Sequence, residues 1–214
     1  MKNILAVTAC LKRCSVAISY EGAIFEKNLD VDSSANLASV VDALIRENNI
    51  DLKKIDGVIT ASGPGSFTGI RVSQSFAKGI AFSFGIQAVS VDYFTVLAAH
   101  ALMLSPSAER YAKSTRVNGS IVTLIESEKS QLYFRHYKNE IYDEGVASYE
   151  NIKSYIRNNE VDVIIGNAGE ELGEYREKMI YIDDFRNAKY LLSFSELLTT
   201  ESKITPLYIN ARLT

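Results

Sequence analysis

The chain has 214 residues, of which 47% are hydrophobic and 23% are charged, and its formal net charge is −3. This length allows one large or two small domains, and the composition excludes a disordered chain. The acidic balance argues against unaided binding to a nucleic-acid backbone, which needs clustered Lys and Arg.

The predicted elements begin with three short strands at 4–7, 14–20 and 23–27. A tight turn at Glu21-Gly22 predicts that they form an antiparallel meander. Helical periodicity follows, and Asp32, Ser33 or Ser34 could cap this helix. One apolar face of the helix contains Leu37, Val40, Val41, Leu44 and Ile45.

A buried strand at 57–60 leads into residues 61–72, which read Ala-Ser-Gly-Pro-Gly-Ser-Phe-Thr-Gly-Ile-Arg-Val. A helix is predicted over about 69–84, then a strand at 87–91 and a helix that runs to about Leu104. This order predicts a mixed sheet with helices packed on it.

Residues 105–118 are rich in Ser, Lys and Arg and predict a boundary, so we expect domains at 1–104 and 105–214. The pattern then partly restarts, with strands at 121–125 and 132–137, a helix at 149–158 and a strand at 161–165. Gly166-Asn167-Ala168-Gly169 repeats the passage from a strand into a glycine turn. The repetition predicts two related lobes.

The glycine segment allows two interpretations. A strand, a glycine turn and a helix N-terminus can bind an anion, with Gly63, Gly65, Ser66 and Thr68 as candidate cofactor ligands. The same small residues can instead let two backbones pack closely, or form part of a protein interface.

General motifs are excluded by spacing. Thr68 stands where a dinucleotide fingerprint needs its third glycine, Ile70 follows Gly69 where a P-loop needs lysine, and Pro64 breaks the serine-hydrolase elbow. His100 and His136 lie in different halves of the chain, and no zinc-ligand or Ser-His-Asp spacing occurs. We therefore predict no catalytic and no metal-binding residues.

The two cysteines, Cys10 and Cys14, fit a reduced cytoplasmic protein, as small buried thiols rather than as a redox or metal pair. No run reaches eighteen apolar residues, and the N-terminus begins with a strand pattern instead of a signal peptide. We expect a soluble, cytoplasmic protein with no membrane association.

The segment from Ser62 to Val72, with Ala77-Lys78-Gly79 after it, closely resembles the bacterial TsaB (YeaZ) family. Weaker matches occur in the right order: residues 4–7 and 14–17 fit the first two strands, 126–133 a hairpin of the second lobe, and 206–209 a C-terminal signature. The resemblance covers almost the whole chain, although only the glycine segment is specific.

The resemblance implies a two-lobed actin-like α/β fold (acetate kinase, Hsp70, actin), with an RNase H-like mixed sheet and helices in each lobe. It also implies a non-catalytic scaffold for TsaD, which transfers a threonylcarbamoyl group to an adenosine beside the tRNA anticodon. TsaE would join as an ATPase, ATP and metal would reside on the partner subunits, and tRNA would be met only through the complex. A third hypothesis is a homodimeric, chaperone-like binding module, in which the same helix face self-associates.

The family pairs with TsaD through helices of its first lobe. The resemblance therefore implies an interface at Leu37, Val41, Leu44, Arg71, Phe76, Lys78, Gly79 and Phe82. Arg71 is predicted in the first turn of its helix, where its charge opposes the helix dipole, so we expect it to have an anionic partner, either a carboxylate in the complex or a phosphate.

The chain departs from the family pattern at three places. Thr8 stands where many members keep an Asp that could organise a metal and phosphates, Glu126-Ser127-Glu128 replaces Asp-Ala-Arg, and Asn210 replaces an Arg. These changes weaken the alternative function, a weak actin-like ATP-binding phosphotransferase or ATPase. That alternative rests on the glycine turn present in each lobe.

Overall fold

A computed structural model describes residues 2–11, 13–29, 36–104, 119–127, 130–138, 141–199 and 203–209. The first half contains β1 (Ile4–Thr8), β2 (Cys14–Tyr20), β3 (Ala23–Leu29), α1 (Leu37–Glu47), β4 (Gly57–Gly63), α2 (Phe67–Phe84), β5 (Gln87–Asp92) and α3 (Tyr93–Leu104). The second half contains β6 (Ile121–Glu126), β7 (Gln131–Lys138), β8 (Ile141–Ser148), α4 (Tyr149–Asn158), β9 (Val163–Gly166) and β10 (Met179–Tyr181).

The first sheet has the strand order β3-β2-β1-β4-β5. Strand β1 pairs antiparallel with β2, where Leu5 lies opposite Ile18, and parallel with β4, where Leu5 lies opposite Val58. The predicted meander of the first three strands is confirmed. Helix α1 packs its apolar face on this sheet, because its buried side chains join Val16 and Val58 in one hydrophobic cluster.

The second sheet repeats this arrangement with the order β8-β7-β6-β9-β10. Strand β6 pairs antiparallel with β7 and parallel with β9, just as β1 does with its own neighbours. Its core places Ile152 and Ile156 of α4 against Leu124 and Phe134. Two related α/β lobes, each built on an RNase H-like mixed sheet, are therefore confirmed.

Local capping explains where the helices begin. Ser66 accepts a hydrogen bond from Gly69 N at the start of α2, and Ser148 accepts one from Asn151 N at the start of α4. Helix α1 begins after Asn36, whose side chain makes no capping bond. The predicted caps Asp32, Ser33 and Ser34 lie outside the described residues.

The two compact units differ from the predicted domains 1–104 and 105–214. The first unit runs up to Tyr93 and also includes Arg186–Tyr208, whereas the second contains Phe94–Phe185. A 3₁₀ segment at Ala188–Leu197 packs on the first sheet, and Ala188 N donates to Ser15 Oγ at 2.7 Å. The periodicity of the sequence cannot reveal that a segment so late in the chain packs back on the first sheet.

Three further 3₁₀ segments lie at Leu52–Lys54, Glu170–Lys178 and Asp184–Arg186. None of the helices within the described ranges combines the length and the apolar character that crossing a bilayer requires.

Candidate functional site

The glycine loop between β4 and α2 is closely surrounded by other parts of its own unit. Gly63 and Gly65 adopt φ values of +119° and +151°, which residues other than glycine rarely adopt. A Cβ atom on Gly63 would lie 2.7 Å from the carbonyl oxygen of Leu207, and one on Gly65 would lie 3.2 Å from the amide nitrogen of Leu11. These contacts favour the packing interpretation over a phosphate cradle.

The other two candidate ligands of the loop also have identifiable positions. Ser66 Oγ accepts from Gly69 N at 3.3 Å, and Ile70 N donates to Ser66 O at 2.9 Å, so Ser66 serves as the N-cap of α2. Thr68 is exposed on the first turn of the helix. The hydroxyl of Ser66 therefore already has a partner in the chain itself.

A C-terminal segment, residues 203–209, covers the loop, and the sequence alone did not indicate this. Leu207 N donates to Ser62 O at 2.7 Å, Thr205 N donates to Ser90 Oγ at 3.1 Å, and Gln74 Nε2 donates to Thr205 O at 3.2 Å. Residues 206–208 of the signature thus belong to the first unit rather than to a separate C-terminal domain.

Arg71 is held between aromatic rings at the N-terminal end of α2. Its guanidinium carbon lies 3.7 Å from the ring centroid of Phe67, and its Nε donates to the Tyr208 hydroxyl at 3.0 Å. The two rings are 5.2 Å apart, and 53% of Phe67 and 38% of Tyr208 are exposed. Among the described residues, its partners are thus a neutral hydroxyl and two rings. The expected anionic partner, a carboxylate in the complex or a phosphate, stays a prediction.

Helix α2 carries an exposed surface along its whole length, which we call the α2 outer face. It consists of Phe67, Arg71, Ser75, Lys78, Gly79 and Phe82. Phe82 is 91% exposed, and a Cβ atom added to Gly79 would have no atom within 4 Å. A glycine inside a helix costs about 1 kcal/mol relative to alanine, and here no contact within the described chain requires it.

The structure corrects part of the predicted interface. Leu37, Val41 and Leu44 are buried in the core of the first unit, where they pack against the sheet. Phe76 is partly buried against the same cluster. The apolar face of α1 is therefore already covered within the chain, and the surface available to a partner is reduced to Arg71, Lys78, Gly79 and Phe82 with their exposed neighbours.

The end of β1 holds a neutral, buried pair of hydroxyl groups. Thr8 Oγ1 lies 2.7 Å from the Tyr93 hydroxyl, and Cys10 N donates to Thr8 Oγ1 at 3.4 Å. Burial raises the pKa of Tyr93 well above its usual value and raises the pKa of Cys10 to about 11. A metal site at the end of β1 would need a carboxylate there. This chain instead has the hydroxyl groups of Thr8 and Tyr93 and the thiol of Cys10, which stay uncharged at neutral pH.

The second glycine turn borders a cleft of about 950 Å³ in the second unit, lined in part by Glu126, Tyr149, Asn167, Arg176 and Tyr181. Asn167 Oδ1 accepts from Glu126 N at 2.9 Å, and the Tyr149 hydroxyl donates to Glu126 Oε1 at 2.7 Å. The turn therefore also ties β6 to β9. Glu128 and Asn210, two of the departures from the family pattern, lie outside the described residues.

The imidazole of His136 is hydrogen-bonded on both sides within the second unit. Its Nε2 lies 2.7 Å from Ser120 Oγ and its Nδ1 lies 2.9 Å from the Tyr155 hydroxyl. Burial lowers its pKa, and the charge of Lys138 adds to this effect. Within the part of the chain that the structure describes, no three His, Cys, Asp or Glu side chains are grouped so that they could hold a metal ion.

Comparison with known proteins gives consistent results. The family model described as "TsaD: tRNA N6-adenosine threonylcarbamoyltransferase" matches residues 24–111. The tRNA threonylcarbamoyladenosine biosynthesis protein TsaB of Haemophilus influenzae is 24% identical and covers 99% of this chain and 95% of its own length. The TsaB protein of Buchnera aphidicola subsp. Baizongia pistaciae is 22% identical and covers 99% of this chain and 100% of its own length.

A solved structure of YeaZ from Pseudomonas aeruginosa aligns with a TM-score of 0.66 at 20% identity, over 98% of this chain and all of that one. Two α/β units that repeat one strand order, with a glycine loop at the end of β4, form the two-lobed α/β fold that the solved YeaZ structures share. Over nearly its full length the chain is thus similar in sequence to TsaB proteins, at 22–24% identity, and it shares the fold of the solved YeaZ structures.

Proposed function

We propose that this protein is a non-catalytic subunit in tRNA threonylcarbamoyladenosine biosynthesis, and that it supports TsaD by docking through the α2 outer face. The pathway is the one named for its TsaB relatives, two of which match it over nearly their whole length. TsaD would transfer the threonylcarbamoyl group to adenosine next to the tRNA anticodon.

The observation that carries the proposal is the open position of Gly79 beside the exposed Phe82. Gly79 has free space where a side chain would be, so another helix can approach the backbone of α2 closely there. Phe82 supplies a large apolar side chain that loses contact with water only when a partner covers it. A partner helix packed at this position would explain both the free space at Gly79 and the exposure of Phe82.

A second observation supports the choice of TsaD as the partner. The TsaD family model matches residues 24–111, which include α1, α2 and α3. A protein related to TsaD in this region can present a similar pair of helices. Two related helix pairs can then pack in a nearly symmetric arrangement, as subunits with self-complementary patches commonly do.

The neutral pair of Thr8 and Tyr93 supports a non-catalytic role, because it puts no carboxylate where actin-like ATP chemistry would need one. In this proposal ATP and metal reside on the partner subunits, TsaE joins the complex, and tRNA is met only through the complex. Calorimetry of the isolated protein with ATP and Mg²⁺ tests the alternative function. Micromolar binding would favour the ATPase or phosphotransferase interpretation.

Three glycine variants test the docking face. Gly79→Glu places a long charged side chain on the α2 outer face, and we expect it to abolish the complex with TsaD in size-exclusion chromatography. Gly173→Glu is the matched control, because Gly173 is also exposed with no atom within 4 Å of an added Cβ, but lies in the second unit. Gly79→Ala adds only a methyl group and checks the fold at the same position.

The expected result is loss of the complex with Gly79→Glu alone, while all three variants keep their circular dichroism spectrum. Complex formation by Gly79→Glu at the wild-type level would contradict docking through this face. Co-purification with the host's TsaD and TsaE tests the wider assembly. A chain that binds TsaD in neither experiment is not the proposed scaffold.

A further inference from the structure

The cleft of the second unit lies where the parallel strands of its sheet end. Strands β6, β9 and β10 run parallel to one another, and their last residues are Glu126, Gly166 and Tyr181. Glu126 and Tyr181 line the cleft, together with Asn167, which follows β9. In open α/β sheets, ligands bind outside the carboxyl ends of the strands. The cleft therefore occupies a position that favours ligand binding.

The chain also leaves β6 and β9 in opposite directions at this position. From β6 it passes to β7 on one side of the pair, and from β9 it passes to β10 on the other side. Connections that diverge in this way open a crevice between two neighbouring parallel strands. The resulting cleft, of about 950 Å³, is large enough for a small molecule.

The corresponding position of the first unit is filled by its own chain. There the two parallel strands are β1 and β4, and the glycine loop follows β4. A Cβ atom on Gly69 would overlap Ala9 O, so α2 begins directly against the residues that follow β1. In the second unit, the 3₁₀ segment Glu170–Lys178 takes the place of this long helix. The second unit thus keeps open a space that the first unit fills.

The lining of the cleft carries charges of both signs. Glu126 and Glu171 provide two carboxylates, and Arg176 provides one guanidinium. All three side chains are exposed. Within the part of the chain that the structure describes, neither Glu171 nor Arg176 forms an ion pair. Because the carboxylates outnumber the guanidinium, the cleft favours a ligand with an excess of positive charge.

The two carboxylates lie near one hydroxyl group. The Tyr149 hydroxyl donates to Glu126 Oε1 at 2.7 Å and so orients this carboxylate. Burial raises the pKa of Tyr149, and the negative charges of Glu126 and Glu171 add to this effect. An ammonium group has three donors and can bond to several carboxylate oxygens at once. This side of the cleft is therefore suited to a cationic group.

A tyrosine ring forms another part of the wall. A Cβ atom on Gly169 would lie 2.9 Å from Tyr181 Cε2, so the glycine lets this ring pack against the turn after β9. Tyr181 is 57% exposed, and Met179 also lines the cleft. An aromatic ring and a thioether can cover the aliphatic part of a ligand, and the face of the ring attracts a cation.

We propose that this cleft, at the carboxyl ends of β6, β9 and β10, binds a free basic amino acid such as lysine or arginine. Such a molecule has two cationic groups and one carboxylate, which complement two carboxylates and one guanidinium. Its cationic groups face Glu126 and Glu171, its carboxylate faces Arg176, and its aliphatic stem lies against Tyr181. The proposal goes beyond the scaffold function, because the site lies within the second unit and needs no partner protein.

Nucleotides and metal ions match the cleft less well. A phosphate group would meet two carboxylates for a single guanidinium, and like charges repel. A divalent cation requires more oxygen ligands than two carboxylates provide. Among the described residues, no three His, Cys, Asp or Glu side chains are grouped for a metal ion.

Titration of the isotopically labelled full chain with L-lysine, followed by NMR, tests the proposal. We expect saturable shifts of the backbone amide signals of Asn167, Gly169 and Gly173, which line the cleft, and none at Gly79 in the first unit. L-Norleucine lacks the side-chain ammonium group of lysine, and cadaverine lacks its carboxylate. Each loses one charge pair, so we expect each to bind about fivefold more weakly than L-lysine.

Two variants identify the groups that the ligand contacts. Glu171→Gln should weaken the binding of both L-lysine and cadaverine by about fivefold, because both are cationic. Arg176→Gln should weaken the binding of L-lysine but not that of cadaverine, which has no carboxylate. Glu177→Gln is the matched control, because Glu177 is exposed on the same 3₁₀ segment but does not line the cleft. It should leave both affinities unchanged.

Several outcomes overturn the proposal. Equal affinities for L-lysine, L-norleucine and cadaverine would show that the charges of the cleft do not select the ligand. The same conclusion follows if millimolar L-lysine causes no saturable shift, or shifts only signals outside the cleft. Binding of ATP that Arg176→Gln abolishes would assign the cleft to phosphate groups instead. None of these results bears on docking to TsaD, which size-exclusion chromatography tests separately.

Discussion

The hydroxyl oxygens of Thr8 and Tyr93 lie 2.7 Å apart, and neither side chain reaches solvent. This bond links the end of β1 to the residue that follows β5, across β4. A buried hydroxyl that loses its partner keeps its desolvation penalty, whereas replacing both groups by apolar ones of similar shape removes the penalty.

We therefore expect Thr8→Val and Tyr93→Phe each to lower the free energy of unfolding by about 1–2 kcal/mol. The double variant should lose less than the sum of the two, by at least about 0.5 kcal/mol, because the residues are coupled. Urea unfolding of the four proteins measures this. Strict additivity would mean that the hydrogen bond contributes nothing to stability.

Two glycines in the same helix should respond in opposite ways to alanine. A Cβ atom on Gly69 would overlap the carbonyl oxygen of Ala9, whereas one on Gly79 would meet nothing. We expect Gly69→Ala to destabilise the protein by roughly 1–3 kcal/mol and Gly79→Ala to stabilise it by up to about 1 kcal/mol. Thermal unfolding followed by circular dichroism compares them directly. A lower melting temperature for Gly79→Ala would show that an unrecognised contact lies over this position.

Stability should fall at alkaline pH because of Cys10. Burial raises the pKa of its thiol from 9.0 to about 11, so the folded protein retains a proton that the unfolded chain loses over this range. The unfolded state then binds fewer protons, and the free energy of unfolding decreases by roughly 2 kcal/mol as pH rises from 9 to 11.

The variant Cys10→Ala should flatten this dependence in urea unfolding between pH 8 and 11. It should not abolish it, because burial raises the pKa values of Cys14 and Tyr93 in the same direction. An unchanged slope in Cys10→Ala would show that the thiol does not titrate differently in the folded and unfolded states.

His136 should have the opposite effect, at mildly acidic pH. Burial lowers the pKa of its imidazole below the usual 6.5, so below that pH the unfolded chain takes up a proton more readily than the folded protein. Stability is therefore expected to decrease as pH falls below about 6.5. His136→Gln should show a smaller decrease between pH 7 and 5.5 when unfolding is followed by fluorescence. A steeper decrease in the variant would contradict a neutral, buried imidazole.

Local patterns were sufficient to predict several elements. The meander β1–β3 and helix α4 follow from alternation and helical periodicity within short windows, and the structure has them at the expected positions. The start of α2 was predicted two residues late, because the capping geometry of Ser66 decides where the helix begins. The sequence identifies Thr8 as a departure from the family pattern. It cannot show the hydrogen bond between Thr8 and Tyr93, because the two residues are far apart in sequence.

Other features depend on contacts that no window of sequence contains. Strand β8 was not predicted, because Ile141–Ser148 has charged residues and a glycine where an alternating strand would have apolar ones. The periodicity of α1 identified the apolar face formed by Leu37, Val41 and Leu44, but could not show that the sheet covers it. Arg71 likewise finds its partner in Tyr208, at the other end of the chain.

The return of residues 186–208 to the first unit has a consequence for synthesis on the ribosome. Phe94–Phe185 forms one continuous stretch, so the second unit has most of its chain available while the C-terminal segment is still being made. The first unit is translated earlier, yet it lacks the segment that packs on β1, β2 and β4 until residues 186–208 have followed the second unit's stretch. The part of the protein that emerges first is therefore the last that can be completed.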